Sequence, residues 1–343
     1  MRPAQVLDLQ ALMIAELSQT KPQVYLRNVV ESMYTEAVTH GKDSTSAIAD
    51  APPLAPQQGE AIVGNVQALL KGAHCYHVQA EMTDLIHAAS LGLSDDTPWR
   101  RELLPTEVGF AYFDKPLETQ DVRGRIMKTH VLVWGPVMTD AGPATAVYAA
   151  NDMNDPDQIV QDQMRVNGYT VEELRQCGRF QVFHMMFMQG EQAIGPPKVD
   201  VSEEKVQRML AEGDIAFSAD NGLRLFVAYL RMLSQTLVKM RPAELDRAAV
   251  KRARRRKLPG LVTTVTLRRV RYEGDGDQHG EVEWSHRWLV RGHWRRQHCG
   301  ENHPHAEPDG EGGWVAIIWI NPYIKGPEDK PLHVTNKVYD LAR

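Results

Sequence analysis

Three arginines, Arg287, Arg291 and Arg295, recur every four residues near the C-terminal end of the chain, with His293 between the last two and Glu283 just before the first. On an extended strand successive side chains point to opposite faces. Glu283, Arg287, Arg291, His293 and Arg295 would then share one face, and Val282, Trp284, His286, Trp288, Val290 and Trp294 the other. Guanidinium groups suit phosphate because they offer a planar fork of donors to its oxygens. An imidazole among them can move a proton near neutral pH. Together these are the groups a metal-independent ribonuclease needs: Arg291 stabilising a phosphorane, His293 as acid or base, and Glu283 for the complementary transfer. The indole-bearing face reads as core, and His286 with it.

A second cationic group precedes this strand. Arg247, Lys251, Arg254 and Arg255 fall at helical spacing within Ala243 to Lys257, and such a helix neutralises phosphates without reading sequence. Between Arg241 and Gly300 there are fifteen Lys or Arg against seven Asp or Glu, a charge of +8 that leaves −13 on the remainder of a chain whose total is −5. That asymmetry marks a segment that meets a polyanion, two lobes that attract each other, or a solvated helix face. Lys325 lies in a stiff strap, Asn321 to Leu332, where Pro322, Pro327 and Pro331 fix φ and remove donors.

Other chemistries have weaker support. His298, Cys299, His303 and His305 are potential zinc ligands, but their spacing matches no zinc module, and His74-Cys75-Tyr76-His77 reads as the start of a helix. No metal and no cofactor is predicted. There is no P-loop, Rossmann glycine fingerprint, HExxH, GxSxG or CxxC.

These groups need elements to carry them. At 343 residues, with 43% hydrophobic and 24% charged residues, the chain is long enough for two lobes and has a globular composition. No apolar run reaches the length of a membrane span, and Asp8 comes too early for a signal peptide. With three dispersed cysteines this predicts a cytoplasmic protein without disulfides. Val6, Leu9, Leu12, Met13 and Leu17 predict a helix, and a second after Pro22 completes a hairpin. Residues 43–60 read as a linker, and helices are predicted over Glu60–Leu70 and His77–Ala89. Short β-rich runs at Val108–Phe113, Ile126–Val133, Ala144–Ala149 and Arg179–Met188 predict an antiparallel meander. A polar, helical insert is expected over Asp155–Gln176. Asp200 with Glu203 forms a capping box for a helix to Leu210, and an apolar helix is expected from Leu223 to Met240. Strands follow at Leu261–Tyr272, Glu281–Arg296, Trp314–Ile320 and Val334–Leu341. The predicted class is α+β: a helical N-terminal region with its linker over 1–58, a middle antiparallel sheet with helices over 59–242, and a C-terminal basic β module over 243–343.

HRWLVRGHWRRQ (His286–Gln297), WINPYIKGPEDKPL (Trp319–Leu332) and NKVYDL (Asn336–Leu341) resemble the C-terminal region of a family of uncharacterised proteins of actinobacteria and their phages. The resemblance extends over about residues 100–343 and implies a phage or actinobacterial setting, including host defence. It implies no activity, and the His/Cys cluster after Gln297 departs from the family's pattern. The functional expectation is a nucleic-acid-binding protein, for RNA or DNA, that contacts its ligand through Arg247, Lys251, Arg254, Arg255, Arg287, Arg291, Arg295 and Lys325. A non-enzymatic module for an acidic protein and a metal-independent ribonuclease are the alternatives.

Overall fold

The computed structural model describes residues 1–26, 56–93, 99–120, 126–139, 142–155, 171–189, 192–194, 219–268, 287–290, 292–303, 306–310, 312–325 and 332–333. Among the described residues the α-helices with both ends placed are α1 (Pro3–Glu16), α2 (Pro56–Gly72), α3 (Ala80–Leu91), α4 (Val171–Gln176), α5 (Ala219–Leu233) and α6 (Arg247–Arg255), and residues 20–26 are also helical. The main sheet contains β1 (His74–Val78), β2 (Gly109–Gln120), β3 (Ile126–Thr139), β4 (Gly142–Asp152), β5 (Phe180–Gln189), β6 (Gln192–Ile194), β7 (Val238–Pro242) and β8 (Val262–Leu267). Its order is β6-β5-β4-β3-β2-β1-β8-β7. From β2 to β6 it is the expected antiparallel meander. β1 runs parallel to both of its neighbours, β2 and β8. The class is α+β with a helical N-terminus.

Alternation along β2 divides the core in two. Phe110 and Tyr112 join one cluster with α1, α2 and α6, and Ala111 and Phe113 join the other with α3 and α5. The sheet therefore lies between two helical layers. On the α5 side Trp134, fully buried, packs against Tyr76, Phe226 and Tyr229 and donates its indole N–H to Thr106 O at 3.0 Å.

Two sequence expectations are corrected here. His74 to His77 is not the start of a helix but the central strand β1, and α3 begins only at Ala80. With hydrogen-bonded strands on both sides and helices on both faces, a central parallel strand has no polar alternation to mark it. The helix expected to reach Met240 ends at Leu233. There Ser234 Oγ (2.7 Å) and Gln235 Nε2 (3.2 Å) both donate to Arg231 O, which takes up a carbonyl at the helix end. Residues 238–242 instead form β7, an edge strand whose Lys239, Arg241 and Pro242 discourage further strand pairing. Because β7 pairs with β8, the residues on either side of position 242 belong to one sheet. A smaller shift occurs at the linker: helix α2 starts at Pro56, inside the predicted loop.

Beyond β8, the strand expected over Glu281–Arg296 is two strands in different sheets. β9 (Arg287–Val290) pairs with β13 (Tyr323–Lys325) and β14 (Leu332–His333). β10 (His293–Cys299) pairs with β12 (Trp314–Ile320), which also holds β11 (Ala306–Pro308). Gly292 lies at the junction because the indole of Trp319 and the ring of Pro322 occupy the space a Cβ would need. The three-stranded sheet docks on the α3/α5 side of the main sheet. Trp294 donates to Ala89 O at 2.8 Å and meets Trp319 edge-on at 5.2 Å. Gln235 accepts from Trp319 N at 3.0 Å, and Arg231 pairs with Glu307 at 2.8 Å. The helix expected after Asp200, the irregularity at Arg268-Arg269 and the last strand at Val334–Leu341 lie wholly or partly outside the described residues.

α6 is defined at both ends. Asp246 caps its N-terminus by accepting from Ala249 N at 2.6 Å. At the C-terminus Leu258 N donates to Ala253 O and Lys257 N to Arg254 O, with Lys257 at φ 56°. Glycine ordinarily fills this left-handed position, and a side chain there costs about 1 kcal/mol. Lys257→Gly is therefore expected to stabilise the protein by about 0.5–1 kcal/mol, measured as a higher midpoint in urea with an unchanged slope.

Candidate functional site

The strongest candidate surface is the outer side of α6. At about 100° per residue, Arg247, Lys251, Arg254 and Arg255 fall within an arc of about 100°, and all four are exposed. Ala249 and Ala253 face the other way and are buried, Ala253 in the core cluster shared with α1 and α2. Arg252 and Arg256 occupy the intermediate position and pair with Asp8 of α1 at 3.2 and 2.9 Å. The helix contains no acidic residue. Its inner face is thus fixed by packing, its flanking Arg252 and Arg256 share the single carboxylate of Asp8, and its outer arc carries four cations. Val250, 48% exposed, borders them.

The strand residues occupy other places. His293 and Arg295 are exposed on β10, whose sheet docks on the α3/α5 side, whereas α6 packs on the opposite side of the main sheet. The expected continuous basic surface is therefore divided between the two sides. Arg287 is on β9 opposite Leu332, and Lys325 is on β13 opposite Trp288, which places both in the small β13-β9-β14 sheet. Arg291 and Glu283 lie outside the described residues, as does His305. Of the proposed ribonuclease groups only His293 is described, and the break at Gly292 removes the single strand that was to align it with Arg287. Among the described residues no three His, Cys, Asp or Glu side chains converge as metal ligands.

The structure also contains a polar cleft that sequence reading missed. It has a volume of about 510 Å³ and lies where β2 bulges between Tyr112 and Leu117, beside the ends of β3 and β4 and the start of β5. Pro116 lies within this interruption, consistent with its missing N–H donor. Asp152, 3% exposed, receives Arg179 through both oxygens at 2.8 and 2.6 Å. Asp155 Oδ2 takes His130 Nε2 at 3.0 Å and Lys128 Nζ at 3.3 Å. His130 Nδ1 accepts from Asp152 N at 3.1 Å, which fixes the Nε2–H tautomer. Burial lowers the pKa of His130 despite the neighbouring carboxylates. Asp114 accepts His77 Nε2 at 2.8 Å and the terminal ammonium of Met1 at 3.2 Å. Burial opposes its ionisation, yet these contacts hold its carboxyl below the usual range. Burial, followed by the charge of Asp152, pushes the Tyr112 phenol up to about 12. The contributing residues are far apart in sequence, from Asp114 to Arg179, and form no motif.

These features define an α+β protein with a helix-covered mixed sheet, a docked three-stranded sheet and a cationic helix on its surface. No protein-family model matches the chain, and no curated protein matches it. Among solved structures, the crystal structure of AcrVA2 is similar at 13% identity, covering 87% of this chain and 94% of that chain with a TM-score of 0.33. No helix among the described residues is long and apolar enough to cross a membrane.

Proposed function

We propose that this protein binds a nucleic-acid backbone, RNA or DNA, through the outer arc of α6. The observation that carries this reading is the separation of charges on one short helix: Arg252 and Arg256 are used by Asp8, while Arg247, Lys251, Arg254 and Arg255 are exposed together. The arc extends about 10 Å along the helix axis, enough to contact successive phosphates of one strand, and phosphate contacts position a protein without specifying sequence. We assign it to phage biology or host defence on the sequence resemblance. The exposed His293 and Arg295 on the other side of the main sheet form a separate basic site. Arg287 and Lys325, in the β13-β9-β14 sheet, are not part of the helix arc. Of the alternatives, an acidic protein partner would use the same charges.

Competition at matched charge separates the two. Single-stranded RNA or duplex DNA is expected to displace a labelled oligonucleotide at concentrations where polyglutamate does not. Equal displacement by polyglutamate would assign the surface to an acidic protein. RNA incubated in EDTA with wild type and with His293→Ala tests the ribonuclease alternative, and cleavage by wild type alone would establish it.

A further inference from the structure

We propose that β10 is a docking edge, on which an extended acidic segment of a partner protein pairs as an added strand and meets Arg295, Arg296 and His298 with its carboxylates. The backbone supplies the first observation. β10 ends its sheet, with β12 on one side only, so alternate N–H and C=O groups along it point away from the protein. Its seven residues pair with β12 in continuous register, without proline or bulge, which gives an edge about 23 Å long. From Trp294 to Cys299 the backbone bonds only to β12 among the described residues. Every other sheet end among the described residues is protected. β6, β11 and β13 have three residues each and β14 has two, and β7 carries Pro242. Short strands and proline keep an edge from pairing, and β10 has neither.

Charge is the second, independent observation, and it selects the occupant. Arg295, Arg296 and His298 are exposed, and β10 contains no acidic residue. Opposite them on β12 lie the apolar Ile318, Ile317 and Val315. Arg296 Nη2 donates to the Asp309 carbonyl at 3.3 Å, and among the described residues no carboxylate pairs with it or with Arg295. Arg296 and His298 share the parity of Trp294, and Arg295 has the other, so the edge is cationic toward both faces. A second copy of this chain is a poor occupant. Two β10 strands paired antiparallel about their centre would set Arg296 against Arg296, and like charges directly opposite destabilise a sheet. A strand with Asp or Glu on both faces instead forms opposite-charge pairs, while its backbone extends the ladder.

The test is titration of the full chain into a fluorescent peptide of about eight residues, Thr-Glu-Glu-Val repeated, long enough to cover β10. Two control peptides accompany it: one with Lys for Glu, and one N-methylated at every residue, which keeps the charge and removes the backbone donors. Fluorescence anisotropy reads affinity, and amide hydrogen exchange reads which strand is covered. The acidic peptide is expected to bind saturably with a Kd below about 100 μM and to slow exchange across residues 293–299. The Lys peptide should not bind, and the methylated one should bind at least about tenfold more weakly. Arg295→Glu with Arg296→Glu changes exposed side chains; it should weaken the acidic peptide about tenfold and admit the Lys peptide. No saturation up to about 1 mM, equal affinity of the methylated peptide, unchanged affinity in the double variant, or protection confined to other strands would overturn the proposal. Displacement of the peptide from β10 by a single-stranded oligonucleotide would overturn the assignment to an acidic protein. The sheet of β10 docks on the α3/α5 side and α6 packs on the other, so failure here leaves nucleic-acid binding by α6 standing.

Discussion

Replacing Glu307 by Gln is expected to lower stability by about 3 kcal/mol. Arg231 on α5 and Glu307 on β11 pair at 2.8 Å with side chains only 4% and 15% exposed. Water screens such a pair far less than one on the surface, and neutralising one member leaves the other charge in a poorly solvated place. The pair also joins the three-stranded sheet to the main sheet, as do the bonds from Trp294 to Ala89 and from Trp319 to Gln235. Loss should therefore appear first in the fluorescence of Trp294 and Trp319. Replacing both partners, Arg231→Met with Glu307→Leu, should recover most of the stability, because matched apolar side chains remove both desolvation costs. A loss below about 0.5 kcal/mol in Glu307→Gln, the range of exposed pairs, would show that the charge is not needed to hold the sheet in place.

Gly109→Ala is expected to cost about 3 kcal/mol, at the upper end for overpacking. Gly109 lies directly across from Trp134 in the β2–β3 pair, and a Cβ there would overlap the six-membered ring of the indole. The indole has little freedom to move: it is fully buried, bonded to Thr106 and enclosed by Tyr76, Phe226 and Tyr229. Trp134→Phe shortens the ring, so the double variant should lose less than the sum of the single losses. Contacting residues couple in this way by about 0.5–3 kcal/mol. Urea unfolding of the two single variants and the double variant measures the coupling. Strict additivity would contradict the described contact.

The parts of the fold legible in sequence were those with a local period. The meander, α1, α6 and the apolar central strand β12 followed from alternation or helical spacing. β1 did not, because burial on both faces erases alternation. Nor did the end of α5: Leu237 and Met240 continue the helical spacing, and what stops the helix is a set of side-chain bonds to Arg231 O. The division of the basic residues had a different cause. Strand parity places residues correctly only within one unbroken strand, and this segment is two strands in two different sheets. The exposed arc of α6 was readable because helical geometry and the buried alanines Ala249 and Ala253 define it locally. The cleft was not, since its pairs Asp152–Arg179 and His130–Asp155 connect residues 25 or more positions apart.

The salt dependence of nucleic-acid binding tests the role of α6 most directly. Affinity for a fixed oligonucleotide is measured over a series of salt concentrations for wild type and for a variant with Arg247, Lys251, Arg254 and Arg255 all changed to Gln. Each lost phosphate contact lowers the slope of log K against log salt by about one for duplex and somewhat less for single strands. A decrease of about three to four is therefore expected, together with weaker binding. Because all four side chains are exposed, the variant should unfold close to the wild-type midpoint. An unchanged slope in the folded variant would contradict binding through this helix.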